Sequence, residues 1–279
     1  MDVLKIVTNK IAKLRSRSSA PLFMTENVKI GPGTEIGRNV TFNCKDVVIG
    51  DGVQIGDGVV FNCESLRIGD FASLYPNSFF PGPGSISIGH NFWLGCNCIV
   101  DCQGGTTISD NVGVGAHSQL WTHMKFGDLA AGCRFHSSSP LVIDKDVWLV
   151  GHVLVSPVHI GARSLVMLGS LVTTNIPTDK VFAGSPAKDM TDKFGSQFRE
   201  TTVQERISFV ASRIEIIAAR NNIKDVWSRV QLIGHVSENN HNCELCINVA
   251  ERSYSKRQTK FERLVIRALL PDAKFTPVD

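Results

Sequence analysis

The sequence predicts a mainly β solenoid of stacked coils, with a short helix before it and a small α+β segment after it. An aliphatic residue, usually followed by Gly or a small polar residue, returns about every six positions. A longer unit also repeats, because "FNCKDVVIGDG" at Phe42 returns as "FNCESLRIGDF" at Phe61. The six-residue period ends near Lys188. Such repeats indicate coils that each contact only their neighbours.

The first element is a predicted amphipathic helix over residues 1–20. Leu4, Val7, Ile11 and Leu14 fall on one helical face. The segment is basic, but it has neither an unbroken apolar core nor a small-residue cleavage site, so we do not interpret it as a signal peptide. Docking on the protein's own surface is the favoured interpretation, and weak contact with a membrane surface is the alternative.

The second element is the solenoid, predicted over residues 21–195. Successive coils start at positions separated by 19, 19, 20, 20, 35 and 17 residues: Ile30, Ile49, Ile68, Ile88, Ile108, Ile143 and Ile160. Three hexads make one coil, so one aliphatic side chain per hexad can point to a central axis and stack on the coil beneath. Gly, Asp and Asn suit the corners because they tolerate positive φ. We expect stacked coils from about Val28 to Ile176.

The interval of 35 residues interrupts this regularity. It equals one coil plus about seventeen extra residues, which form an inserted loop at about 123–140. A loop of this length within a compact repeat is usually functional or disordered. Trp121, Phe126 and Phe135 lie in or beside it, which favours order. We expect the loop to wall off a cleft, with His123 at its mouth.

The last element is a small α+β appendage, predicted over residues 196–279. A capping-box pattern, Thr-x-x-Glu, precedes each of two helical faces, at Thr202 and at Thr259. Between the two helices the pattern is strand-like, with a polar turn, and Pro271 ends the second helix. Acceptor selection, subunit contact and structural support all remain open as its role.

Composition and charge exclude several classes of protein. The net charge of +3 is weak and scattered, which argues against nucleic-acid binding. No run approaches the ~18 apolar residues of an integral membrane segment. Eight cysteines without an export signal indicate reduced thiols and a cytoplasmic location. Cys243 and Cys246 lie near His235 and His241. These cysteines are interpreted as small buried side chains, and zinc binding is the alternative interpretation.

Several segments resemble a known family. "IGDGVQIGDGVV", "ISDNVGVGAHSQL" and the run from Val147 to Lys188, which ends in "AGSPAK", are similar to the hexapeptide-repeat acyltransferases of the maltose, galactoside and xenobiotic O-acetyltransferase kind. The resemblance covers roughly residues 28–188. It implies a left-handed parallel β-helix of triangular cross-section, and a homotrimer with active sites in clefts between subunits. Three departures from the pattern, at Pro157, Leu168 and Thr174, affect contacts to the acyl donor.

The resemblance also implies the chemistry. "WTH" matches the place where these enzymes carry a catalytic histidine, so His123 is the predicted general base. Histidine suits this task because its reference pKa is about 6.5. The expected reaction moves an acetyl group from acetyl-CoA to a hydroxyl, or less favourably an amine, of a sugar or surface-glycan precursor. Asp128 and Asp101 are the two carboxylates that could orient the imidazole, and the sequence does not choose between them.

The resemblance further implies where the donor binds. Trp148 corresponds to a position near the acyl donor, although packing under the loop explains it equally well. Gly151, Gly169 and Ser170 resemble positions where the chain runs beside the pantetheine arm, since small residues permit close approach. Lys188 could contact the phosphates of coenzyme A. No metal is expected.

Two other functions stay open. His117 and His152 each follow an aliphatic hexad position by three residues, so stacked hexads would make them neighbours on one face. Together with His123 they suggest an alternative function, that of a zinc enzyme like the γ-class carbonic anhydrases, which use the same β-helix. "AGSPAK" and the long C-terminal segment favour the acyltransferases instead. A non-catalytic β-helix scaffold is the third hypothesis, because fold alone does not prove activity.

Overall fold

A computed structural model describes residues 20–234 and 243–278 of the 279-residue chain. The predicted helix over 1–20 therefore lies outside the described residues, apart from Ala20, as do His235 and His241. Most of the described chain is a parallel β-helix, which confirms the predicted fold class. No helix among the described residues is long and apolar enough to cross a membrane.

The coils form three ladders of parallel strands, here called the first, second and third face in the order in which they follow one another along a coil. The first face consists of β2 (Asn27–Ile30), the second halves of β4 (Thr41–Ile49) and β6 (Val60–Ile68), β9 (Ser85–Ile88), β12 (Thr106–Ile108), β17 (Leu141–Ile143) and β20 (His159–Ile160). The second face consists of β3 (Glu35–Ile36), β5 (Gln54–Ile55), β7 (Ser73–Leu74), β10 (Trp93–Leu94), β13 (Gly113–Val114), β18 (Trp148–Leu149), β21 (Leu165–Val166) and β23 (Val181–Ala183). The third face consists of β1 (Leu22–Met24), the first halves of β4 and β6, β8 (Phe79–Phe80), β11 (Ile99–Val100), β14 (Gln119–Leu120), β19 (Leu154–Val155) and β22 (Leu171–Val172).

Each face contributes one column of buried side chains to a common core, as the six-residue period predicts. On the first face, Ile108 pairs in register with Ile88 below and Ile143 above, and all three are at most 3% exposed. The third face begins with stacked aromatic rings and continues with aliphatic residues: Phe23, Phe42, Phe61 and Phe80, then Val100, Leu120, Val155 and Val172. Full burial of one such side chain is worth roughly 1.5–3 kcal/mol, so the stack of columns stabilises the fold.

The coils extend beyond the expected range of Val28 to Ile176 at both ends, although they stay within residues 21–195, over which the solenoid is predicted. β1 already pairs with β4, so the helix begins at Leu22 rather than near Val28. β23 continues the second face to Ala183, beyond Ile176, and β24 (Lys188–Asp189) folds back antiparallel to it. The residues of β1 are exposed, whereas Val181 and Phe182 of β23 are buried.

The corners explain why the repeat needs Asn, Asp and Gly. Residues in the left-handed region recur at the turns between faces, including Asn77, Asn97 and Asn111 with φ near 60°. At Gly115 a Cβ would lie 1.9 Å from the carbonyl oxygen of Val150 on the next coil, so only glycine fits there. The composition of the corners follows from this close stacking.

The inserted residues form an ordered projection, as expected. β15 (His123–Lys125) and β16 (His136–Ser138) pair antiparallel, and they make a hairpin that leaves the corner between the third and first faces. The amide of Ser139 donates to the carbonyl of Thr122 and closes the hairpin at its base. The hairpin and its tip expose four large apolar side chains: Met124, Phe126, Leu129 and Phe135.

Beyond the coils, a short helix α1 (Thr191–Phe194) leads to a C-terminal α+β domain. Its elements are α2 (Val203–Arg220), a 3₁₀ turn (Val226–Ser228), β25 (Val230–Ile233), β26 (Leu245–Asn248), β27 (Ser253–Ser255), α3 (Lys260–Leu269) and β28 (Thr276–Val278). Thr202 and Glu205 form the predicted capping box of α2. The second predicted capping box, formed by Thr259 and Glu262, is only half present. Thr259 caps the amide of Glu262, but the Glu262 carboxylate accepts from the Arg257 amide instead of closing the box.

The C-terminal domain docks on the corner between the first and second faces. Phe71 projects from this corner into the apolar core of the domain, where its ring meets Tyr254. Lys256 lies 2.6 Å from Asp70 and 3.2 Å from Asp51, and Arg252 makes a bidentate pair with the buried Asp146. Ion pairs that are largely buried and geometrically matched fix the relative position of two surfaces more than exposed pairs do.

Candidate active site

His123 lies at the base of the hairpin, at the corner between the third and first faces. It is the first residue of β15 and pairs with Ser138 across the hairpin. Its side chain is 25% exposed. The indole of Trp121 stands edge-on to the imidazole, with ring centroids 6.0 Å apart. The break in the coil thus holds an accessible imidazole in a fixed place.

A buried carboxylate holds this imidazole. Nδ1 of His123 lies 2.8 Å from Oδ2 of Asp101, whose side chain is fully buried. A carboxylate oxygen accepts hydrogen bonds, so the tautomer that matches this contact carries its proton on Nδ1, and the N–H donates a hydrogen bond to Asp101. The lone pair of the imidazole is consequently at Nε2, the nitrogen that faces away from Asp101. This is the arrangement in which a carboxylate sets the tautomer of a histidine base.

The residues around Asp101 position the carboxylate in turn. Oδ2 also accepts from the amide of Thr122 at 2.8 Å and from the Thr122 hydroxyl. The amide of Gln103 approaches Oδ1 at 3.4 Å, and the amide of Gly104 donates to the Thr122 hydroxyl at 3.0 Å. These hydrogen bonds hold the Asp101 carboxylate in one orientation. Two successive coils therefore build the pair of Asp101 and His123 together.

A thiol next to this pair is unsuited to nucleophilic chemistry. Burial, helped by the charge of Asp101, raises the pKa of Cys102 to about 12. The Cys102 sulfur donates to backbone carbonyls of lower coils, among them Gly82 at 3.2 Å. Since the thiolate is the reactive form of cysteine, Cys102 is a neutral packing residue at neutral pH.

The structure decides which carboxylate contacts His123. Asp128 lies near the tip of the hairpin, where its carboxylate accepts from the amide of Ala131 and its carbonyl accepts from the amide of Cys133. It thus builds the turn of the hairpin. Asp101, on the preceding coil, is the carboxylate in contact with the imidazole.

His117 and His152 are stacked neighbours, with ring centroids 4.9 Å apart. Their predicted place on a flat face is wrong. Both residues have positive φ and lie at the corner between the second and third faces, because an αL turn residue is needed there. His123 lies at a different corner. Among the residues that the structure describes, no group of three or more His, Cys, Asp or Glu side chains could hold a metal ion.

Three of the residues predicted to contact the donor lie at the corner between the second and third faces: Gly151, Gly169 and Ser170. Gly151 lies beside His152, with Leu168 above it, and Gly169 has open space where a Cβ would be. Ser170 is buried, and its hydroxyl bonds the carbonyl of Met167 and the amide of Gly184. The side chain of Lys188 is exposed on β24. Within one chain, the third face separates this corner from His123.

Trp148 lies on the second face and points outwards. Its indole is 48% exposed and lines a cleft beneath the C-terminal domain, and His123 is not among the residues that line that cleft. The predicted contact of Trp148 with the thioester stays a prediction.

Sequence comparisons find relatives that are named acetyltransferases. No protein-family model matches the chain. Galactoside O-acetyltransferase of Escherichia coli (strain K12) is 33% identical over 116 residues, which are 40% of this chain and 57% of that protein. A 2,3,4,5-tetrahydropyridine-2,6-dicarboxylate N-acetyltransferase of Staphylococcus aureus (strain JH9) is 30% identical over 105 residues, or 37% of this chain and 38% of that protein. This chain is similar to the hexapeptide-repeat acetyltransferases.

The similarity to these acetyltransferases is partial. The chain spans about half or less of the length of the two relatives. Among solved structures, the polySia-specific acetyltransferase NeuO aligns with a TM-score of 0.45 and 19% identity, covering 71% of this chain and 98% of that one. A hexapeptide-repeat acetyltransferase of Vibrio cholerae O1 biovar eltor, complexed with acetyl coenzyme A, aligns with a TM-score of 0.34 and 21% identity, covering 69% and 79%. One curated relative is named an O-acetyltransferase and the other an N-acetyltransferase, so the acceptor atom is a separate question.

Proposed function

We propose that this protein transfers an acetyl group from acetyl-CoA to a hydroxyl group of a sugar or surface-glycan precursor. The observation that carries the proposal is the contact of the buried Asp101 with Nδ1 of an accessible His123, at the point where the coil is interrupted. Similarity to named acetyltransferases supports the reaction class. The relative named galactoside O-acetyltransferase supports a sugar hydroxyl over an amine.

The chain's own groups would act as follows. Nε2 of His123 accepts the proton of the acceptor hydroxyl while the oxygen attacks the thioester carbonyl. The imidazolium that forms is stabilised by the buried charge of Asp101. Collapse of the tetrahedral intermediate breaks the carbon–sulfur bond, and the imidazolium returns its proton to the departing thiolate of coenzyme A. A backbone N–H or a bound water is expected to stabilise the oxyanion.

The donor-binding part of the proposal requires more than one copy of the chain. The corner that carries Gly151, Gly169 and Ser170 is separated from His123 by the third face of the same chain. In a homotrimer, His123 of one copy and this corner of the next copy can line one cleft, and Lys188 would lie near the phosphates. The exposed apolar hairpin supports such packing, since Phe126 is fully exposed in the single chain.

Turnover by a His123→Ala variant tests the proposed role. The substitution should leave folding intact, because His123 lies outside the coil interior, and should leave affinity for acetyl-CoA nearly unchanged. Turnover should fall by roughly a hundredfold to ten-thousandfold, the usual range for a lost general base. His90→Ala is the matched control, because it removes a similarly exposed imidazole beside a carboxylate, Asp70, at the corner between the first and second faces, and it should be much milder. Retained activity in His123→Ala, with loss in the control, would mean that the base is elsewhere.

A further inference from the structure

A cleft of about 920 Å³ lies between the second face and the C-terminal domain, and the proposed acetyl transfer does not use it. Strands β7, β10, β13 and β18 form one wall. The segment before α2, the start of α2 and residues 270–275 form the other wall. Its volume lies in the range of pockets that hold small ligands, which is about 300–1,000 Å³.

The β-helix wall of this cleft is aromatic. Tyr75, Trp93 and Trp148 point outwards on three coils of the second face and are between 40% and 48% exposed. Gly113 lies in register between Trp93 and Trp148, so the position between the two indoles carries no side chain. The Trp148 indole leans towards this gap, with Cδ1 3.3 Å from where a Gly113 Cβ would be. Flat, accessible aromatic surfaces around a gap suit a ring-shaped ligand.

Three buried polar atoms in residues that line the cleft have no hydrogen-bond partner among the described residues. They are Oδ1 of Asn91, Oε1 of Gln197 and Nε of Arg206. Asn91 is 4% exposed, and its amide nitrogen is already used by Asn111 and the Phe275 carbonyl. Buried polar groups are normally satisfied, and leaving them unpaired is costly. Two acceptors and one donor match a ligand with several hydroxyl groups, because each hydroxyl can both donate and accept.

The cleft also carries an excess of positive charge. Its lining includes three carboxylates, of which Asp146 pairs with Arg252 and Glu205 lies near Arg199. Arg206, Arg267 and Lys274 also line it, and none of the three makes an ion pair with a described carboxylate. Burial lowers the pKa of Lys274, and the nearby Arg252 adds to this effect. A cleft crowded with cations favours an anionic ligand.

We propose that this cleft binds an anionic saccharide, meaning a sugar ring that carries a carboxylate or phosphate group. The ring lies against Trp93 and Trp148 over Gly113. The hydroxyls satisfy Gln197 and Arg206 once these side chains turn towards the cleft, and the acidic group is attracted by the cations that have no carboxylate partner among the described residues. Within one chain the site is separate from His123, which is not among the residues that line the cleft. The inference does not depend on the proposed reaction.

Isothermal titration calorimetry of the full chain tests the proposal. The probes are trigalacturonate, which carries carboxylates, UDP-glucose, which carries phosphates, and maltotriose, which is neutral. At least one anionic probe should bind saturably, at least tenfold more tightly than maltotriose, and more weakly as NaCl increases. A His123→Ala protein should bind the same probe equally well, so a failed binding experiment is distinct from a failed assignment of the base.

Variants locate the binding. Gly113→Val fills the gap between the indoles, and Trp93→Ala and Gln197→Ala remove a wall and a polar contact. Each should weaken binding about tenfold or more while the melting temperature stays close to that of the unmodified protein. Trp227→Ala is the control, since Trp227 is 44% exposed but lies outside the cleft. Absence of saturable binding by both anionic probes, equal binding of maltotriose, or unchanged binding in Gly113→Val would each overturn the proposal.

Discussion

Replacing Asp101 by Asn tests whether its charge, rather than its shape, supports His123. The carboxylate Oδ2 receives three hydrogen bonds, from His123 and from the amide and hydroxyl of Thr122, whereas Oδ1 receives one long contact from Gln103. The oxygen of an Asn side chain should therefore take the place of Oδ2. The imidazole then keeps its orientation and its proton on Nδ1, and only the negative charge is lost.

The size of the effect follows from the geometry. With Nδ1 and Oδ2 2.8 Å apart, the centres of the two charged groups lie about 4 Å from each other. At an effective dielectric constant of about 20, such a pair is worth about 4 kcal/mol. The imidazolium is only partly formed in the transition state, so about 2–4 kcal/mol of this is lost on substitution. Turnover of Asp101→Asn should fall about thirtyfold to thousandfold, since 1.36 kcal/mol corresponds to a factor of ten.

The assay measures steady-state acetyl transfer from acetyl-CoA, and the free thiol of the released coenzyme A is detected. Turnover is compared at saturating donor. KM for the donor should be unchanged, and circular dichroism should show an intact fold. Asp110→Asn is the matched control, because the Asp110 carboxylate also accepts a backbone amide of a neighbouring coil, that of His90, but lies at another corner. A well-folded Asp101→Asn protein that keeps more than half of its turnover would refute the view that this charge assists the base.

Three further predictions concern folding, the donor and acid stability. Ile108→Asp would bury an unpaired carboxylate inside the stacked coils and should prevent folding, so soluble protein with an unchanged melting temperature would contradict the register. Acetyl-CoA at about a hundred times its Kd should stabilise the fold by about 2.7 kcal/mol, and EDTA should abolish neither this effect nor turnover. Hydrogen bonds from the Thr191 hydroxyl and amide and from Lys180 lower the pKa of Asp189 from 3.8 to about 2. A carboxylate whose pKa is lowered by folding stabilises the folded state at pH values above its pKa in the unfolded chain. Asp189→Asn should therefore lower the melting temperature at pH 7, and the difference from the unmodified protein should shrink between pH 4 and pH 2.

Much of the β-helix could be predicted because its information is local and repeated. Each coil carries its own aliphatic positions and corner residues, and the coil starts alone give the ladder that pairs Ile108 with Ile88 and Ile143. The same ladder places Asp101 one coil beneath Trp121, because Val100 pairs with Leu120. The placement of Asp101 close to Trp121 could therefore be predicted from the sequence. The contact itself depends on how β15 turns out of the corner, which no repeat encodes.

The cleft beneath the C-terminal domain could not be predicted in the same way. Its position depends on contacts between residues far apart in the chain, such as Lys256 with Asp70 and Arg252 with Asp146. Each of these residues looks like an ordinary corner or surface residue in the sequence. Trp148 is an example of a residue whose surroundings the sequence does not predict. A resemblance to the family suggested a place beside the donor, whereas packing of an appended domain gives the same side chain a different neighbourhood.

The docked domain also changes how this solenoid should come apart. A stack of coils that contact only their neighbours can open gradually from either end. Here the C-terminal domain contacts the corner between the first and second faces on several successive coils, at Asp51, Asp70, Asn91 and Asp146, and so connects most of the stack. The coils from Asp51 to Asp146 should therefore lose their amide protection against hydrogen exchange together, in one cooperative event. Strand β1, which lies outside this span, should exchange earlier and independently.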